Sequence, residues 1–119
     1  MEVIEKVFPN TSEITSLGKL EIGGCDVQNL AQKYGTPFYI FDSEHIENVC
    51  DTYNTEFISR YQNTQVVYGS KAFANKSIFK IILDKGLGAD VVSEGELTLA
   101  ILCGINPEKI YFHGNNKTE

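Results

Sequence analysis

The sequence predicts a parallel α/β fold, and three observations carry that prediction. Short apolar runs recur near residues 38, 65, 88 and 109. Stretches with helical apolar spacing lie between them, and capping residues or glycines stand at the joins. Near-continuous apolar strands alternating with helices belong to a parallel sheet covered by helices. The 119 residues make one small domain or part of a larger one. A formal charge of -6 disfavours nucleic acid and anionic membranes as partners.

Residues 1–19 read as polar and irregular, with Asn10-Thr-Ser12 and Gly18 as punctuation. Leu20-Glu-Ile22 reads as a short strand closed by Gly23-Gly24. Asp26 is a good N-cap for a helix carrying Val27, Leu30, Ala31 and Tyr34, and Gly35 ends it. Pro37 fits a helix that has just stopped. Phe38-Tyr-Ile-Phe41 is the first buried strand, ended by Asp42-Ser43. Ile46, Val49, Cys50, Tyr53 and Phe57 make one face of the next helix.

Gln65-Val-Val-Tyr68 is the second strand, and Asn75 caps a helix with a buried stripe of Ile78, Ile81 and Ile82. Gly86 closes that helix, and Ala89-Asp-Val-Val92 follows as the third strand. Ser93 and Glu96 have capping-box spacing at the head of a helix carrying Leu97, Ala100 and Ile101, which stops at Gly104. Ile110-Tyr-Phe112 is the fourth strand.

Two closures fit this alternation: a doubly wound open sheet or a (β/α)8 barrel. No strand is followed by G-x-G-x-x-G, and Gly23-Gly24 lacks the Lys-Ser/Thr of a phosphate loop, which argues mildly against a dinucleotide fold. A barrel needs about 250 residues, so on that reading the chain is a truncated piece with an open edge. No run is long enough to span a membrane, and the acidic start lacks the form of a secretory signal. Cys25, Cys50 and Cys103 are scattered among apolar neighbours, which suggests buried thiols in a reducing cytoplasm. Two scattered histidines and no clustered thiols supply no zinc site.

Val66-Val-Tyr-Gly-Ser-Lys-Ala-Phe73 holds most of the chemical information. Alternation puts Val67, Gly69 and Lys71 on one face, with Lys71 at the carboxyl end of its strand, where parallel α/β folds build their sites. A lysine turned inward there is partly desolvated, and its amine becomes a usable nucleophile for a carbonyl. The competing reading is an ordinary solvated lysine in a loop. Gly69 leaves room for a flat cofactor. Asp90 stands at the matching height on the next strand, either orienting Lys71 or bonding local backbone amides. Spacing alone makes Glu96 a capping residue, His113 a strand-end histidine that could face the mouth, and His45 a surface residue.

Together, Gly35-Thr-Pro-Phe-Tyr-Ile-Phe-Asp42, Tyr68-Gly-Ser-Lys-Ala-Phe73, Gly88-Ala-Asp-Val-Val-Ser-Glu-Gly-Glu-Leu97 and Phe112-His-Gly-Asn-Asn-Lys117 resemble the diaminopimelate decarboxylase family. The likeness runs from about Leu20 to the last residue. The His-Gly-Asn-Asn-Lys segment favours this family over the ornithine and arginine decarboxylases. It implies the first half of an alanine-racemase-like TIM (β/α)8 barrel, truncated, with about four parallel strands. Residues 1–34 would associate with a later β-domain, and residues 35–119 would be a partial barrel binding pyridoxal 5'-phosphate.

By the same resemblance, Lys71 holds the cofactor, Asp90 lies near their junction, Glu96 sits below it, and His113 belongs to the cofactor-binding set without a defined role. The activity implied for a longer parent is decarboxylation of meso-2,6-diaminopimelate to L-lysine, in a cytoplasmic homodimer. The phosphate site, the substrate-reading residues and a dimer-partner cysteine would lie beyond residue 119, leaving these residues inactive alone. A pyridoxal-phosphate carrier and an ornithine- or arginine-type decarboxylase are the alternatives. Two positions depart from the family pattern. Glu94 stands where glycine is usual, and would be strained if that position needs a positive φ. Gly69 replaces a commoner alanine, which is harmless beside a cofactor.

Overall fold

The computed structural model describes residues 7–115 and 117. The chain divides into two compact units, residues 1–48 and 49–119.

The first unit holds a small antiparallel sheet of β1 (Glu13–Ile14), β2 (Leu20–Ile22) and β3 (Cys25–Asp26), in that order. Gly23 and Gly24 both have positive φ, which lets two residues reverse the chain between β2 and β3. Helix α1 (Val27–Tyr34) follows directly. The Asp26 carboxylate accepts from the N–H groups of Gln28 and Asn29 and pairs with Lys19 at 2.8 Å. Gly35, at φ 82°, ends the helix with its N–H on the Ala31 carbonyl. The buried Asp42 carboxylate accepts from the Thr11 hydroxyl and from the His45 N–H at the head of α2 (Ser43–Tyr53). Asn10 N–H donates to His45 Nδ1 at 3.2 Å.

The second unit holds a parallel sheet of β4 (Val67–Gly69), β5 (Gly88–Val91) and β6 (Ile110–Phe112), paired in chain order. Helix α3 (Lys76–Asp84) connects β4 to β5, and α4 (Glu94–Leu102) connects β5 to β6. Right-handed crossovers between successive neighbours put both helices on the same side. Ala89 and Val91 point to that side and are fully buried, as are Phe79 of α3 and Ala100 of α4. Gly69, Asp90 and Tyr111 are in register on the opposite face, where Tyr111 is exposed. Gly88 has no alternative: a Cβ there would run into the Lys109 carbonyl and the side chains of Gln65 and Val67. No helix among the described residues is long and apolar enough to cross a membrane.

Several expectations need correcting. Phe38–Phe41 carries no ladder pairing, and Tyr39 is 91% exposed. An apolar run supplies side chains for a strand but not the hydrogen-bonded partner that makes one. The supposedly irregular opening includes β1, because Gly18 (φ 74°) turns the chain back so that Glu13 and Ile14 pair with Glu21 and Leu20. The second strand starts at Val67 rather than Gln65 and ends at Gly69. Phe79, absent from the expected stripe, is the largest fully buried side chain, whereas Ile101 is half exposed. Cys25 is exposed at the start of β3, Cys50 is buried and Cys103 is intermediate. Glu94 needs no positive φ: it is the first residue of α4, and Asn63 alone among described non-glycine residues has one. Its charge there favours the helix dipole.

Candidate functional site

The carboxyl ends of β4 and β5 bring together Gly69, Ser70, Lys71, Asp90 and Glu96. The ladder continues one residue beyond β4, with Ser70 N–H donating to the Asp90 carbonyl at 3.0 Å. The chain then turns as Ala72 N–H closes onto the Gly69 carbonyl at 3.2 Å. Tyr68 Oη donates to the Phe73 carbonyl at 2.8 Å, tying strand to loop across this turn. Burial pushes the Tyr68 phenol above its ordinary value, so it keeps the proton it donates.

Lys71 lies in the turn and not in the strand, so the alternation expected from Val67 through Gly69 stops short of it. Its side chain is exposed, without a hydrogen bond or ion pair to another described residue. The expected partial desolvation is therefore not present within these residues. Asp90 is the counterpart: its Oδ1 is buried and has no hydrogen-bond partner among the described residues. A buried carboxylate oxygen without a donor is costly, and such atoms in native folds call for an explanation. Beside it, Gly69 faces open space, with nothing within 4 Å of where a Cβ would stand. An open floor, an unsatisfied acceptor and an accessible primary amine suit an aldehyde-bearing, hydrogen-bond-donating ligand.

Glu96 is bound more fully than a cap requires. Its N–H meets Ser93 Oγ at 3.3 Å, as the capping spacing predicts. Its Oε2 accepts from Ser93 Oγ at 2.7 Å and from Val92 N–H at 3.2 Å. Its Oε1 lies 2.9 Å from Ser70 Oγ. Burial pushes the Glu96 carboxyl up, but bonds from the Ser93 and Ser70 side chains and the Val92 and Ser93 amides outweigh it. The group is held below its ordinary value and is ionised at neutral pH. Ser70 escaped sequence reasoning, because a serine between glycine and lysine looks like loop filler; only the fold brings Glu96 to it.

His113 N–H donates to the Val91 carbonyl at 2.9 Å, extending the β5–β6 ladder, and its side chain is exposed. Gly114 allows a close pass by the Val92 carbonyl that a side chain would obstruct. Of the two asparagines that follow, Asn116 lies outside the described residues. His45 belongs to the polar cluster around Asp42 in the first unit and is not bare surface.

Comparison with known proteins gives consistent results. A family model described as pyridoxal-dependent decarboxylase, pyridoxal binding domain, matches residues 43–119. The chain is 44% identical over 108 residues to the diaminopimelate decarboxylase of Bacillus subtilis, an alignment covering 91% of this chain and 25% of the relative. It is 40% identical to the Synechocystis diaminopimelate decarboxylase, covering 96% of this chain and 26% of that protein. Among solved structures, diaminopimelate decarboxylase from M. jannaschii in complex with L-lysine superposes with a TM-score of 0.83 at 39% identity. That match covers 92% of this chain and 26% of the other. The Helicobacter pylori enzyme with L-lysine matches at 0.68 and 33% identity, over 78% of this chain and 23% of the other. The chain thus spans about a quarter of the length of the curated relatives it matches.

Proposed function

Because this chain belongs to the family of pyridoxal-dependent decarboxylases, we propose that it forms the amino-terminal part of the cofactor barrel of a diaminopimelate decarboxylase. The reaction would be conversion of meso-2,6-diaminopimelate to L-lysine, in a cytoplasmic homodimer. Three parallel strands paired in chain order, with both connecting helices on one face, suit consecutive segments of a (β/α)8 barrel whose interior is the Gly69–Asp90–Tyr111 face. On this reading residues 1–34 associate with a later domain and residues 35–119 are the partial barrel.

The observation that carries the reading is the unsatisfied Asp90 Oδ1 at the strand ends, two residues in register from where Lys71 leaves the sheet. Pyridoxal 5'-phosphate, when bound, would supply an electron sink for the pair left by the departing carboxylate. Lys71 would hold it through its amine. Asp90 would accept a hydrogen bond from a protonated nitrogen there and keep that proton in place. Glu96 would support the floor of the site from the head of α4, and His113 would stand at the rim. Exposure of Lys71 fits a site whose remaining walls come from the rest of the barrel.

Grafting tests the reading. The 119 residues replace the matching quarter of the B. subtilis relative, and the chimaera is expressed in a lysine auxotroph lacking its own decarboxylase. Growth without lysine is expected; a folded chimaera that fails to support growth would overturn the assignment.

A further inference from the structure

We propose that Ser70 is a positioning residue for Lys71, acting through a latch to Glu96; this rests on the role given to Lys71 above. Ser70 is 1% exposed although it sits where the strand gives way to a turn. Its hydroxyl has two acceptors at 2.9 Å, the Asp90 carbonyl and Glu96 Oε1, but a single proton. The ionised carboxylate is the stronger acceptor and takes it. The Asp90 carbonyl keeps the Ser70 N–H, so every group is served.

Glu96 is itself fixed at its other oxygen by Val92 N–H and Ser93 Oγ. The carboxylate therefore bridges the first turn of α4 to the residue immediately before Lys71. Lys71 has no side-chain partner among the described residues, so its direction depends on its backbone. Anchoring Ser70 at both N–H and Oγ sets where the lysine leaves the sheet, and a group held in advance reacts without first being ordered.

The test uses the B. subtilis chimaera described above, pyridoxal phosphate and borohydride, with peptide mapping to read the label at each lysine. Thermal unfolding is recorded alongside. In the unaltered chimaera Lys71 should be enriched over the other lysines. Ser70→Ala should lower that enrichment about tenfold, the scale of one hydrogen bond to a charged group, and Ser70→Thr should restore most of it. Glu96→Ala should lower it similarly, and the double variant should be no worse than either single one, since both remove the same link. Undiminished enrichment in Ser70→Ala overturns the latch while leaving the role of Lys71 standing. Strictly multiplicative losses in the double variant, or a loss that Ser70→Thr does not reverse, also overturn it. Absence of enrichment in the unaltered chimaera overturns both readings.

Discussion

The two sheets are held by different forces. The antiparallel β1–β3 unit has Ile22 as its buried apolar strand residue, and its order comes from positive-φ glycines, the Asp26 cap and the Thr11–Asp42–His45 contacts. The parallel β4–β6 unit is built around Phe79, Ile82, Ala89, Val91 and Ala100, all at 2% exposure or less. Apolar burial tolerates no substitute for volume, whereas turns and caps are individually modest. The proposed site lies where the packed layer ends, so its groups borrow their precision from the core beneath.

The comparison breaks most readily at Phe79. Phe79→Ala should cost about 3–5 kcal/mol and remove most of the cooperative unfolding of the parallel unit, as read by urea titration. An unchanged midpoint would deny that this layer is the core. Gly88→Ala comes next. It should cost about 1–3 kcal/mol through overpacking against Lys109, Gln65 and Val67. Gly69→Ala, with open space around it, should change stability by no more than about 0.5 kcal/mol. Equal effects at the two glycines would contradict their assignment to closed and open parts of one sheet face. In the antiparallel unit, Asp42→Ala should cost about 1 kcal/mol as a lost cap, with local amide exchange near His45 rising before any global change.

Acid should act on both units, through different carboxylates. Asp26 is held below its ordinary 3.8, chiefly by the hydrogen bond from Lys19, and Glu96 below 4.5 despite its burial. A carboxylate with a depressed folded-state value contributes stability that is full above the unfolded value and disappears as pH falls through the folded one. Glu96→Gln should therefore flatten the stability profile of the parallel unit below about pH 4.5, and Asp26→Asn should flatten that of the antiparallel unit below about pH 3.8. Identical acid profiles for a variant and the parent chain would refute the corresponding contact.

Much of the parallel unit was legible because its signals are local. Asn75, Ser93 and Gly86 punctuate their helices as their side chains and φ values require. Lys71 and Asp90 stand out because polar residues at strand ends are conspicuous against apolar runs. Phe79 did not, since Ile78, Ile81 and Ile82 already filled a helical stripe and hid the residue that fills the space between layers. Ser70 had no signal at all: its significance is a contact across 26 positions. The unpaired Phe38–Phe41 run shows the same limit from the other side, because pairing is a property of two segments.

The central claim is that the Lys71 amine is the group the chemistry requires. The most direct measurement is carbon dioxide release from meso-diaminopimelate by the purified B. subtilis chimaera and its Lys71→Ala variant, with and without a small primary amine. The variant should lose at least about a thousandfold in kcat, and added amine should recover part of it. A variant that retains the parent's rate without added amine would contradict the account.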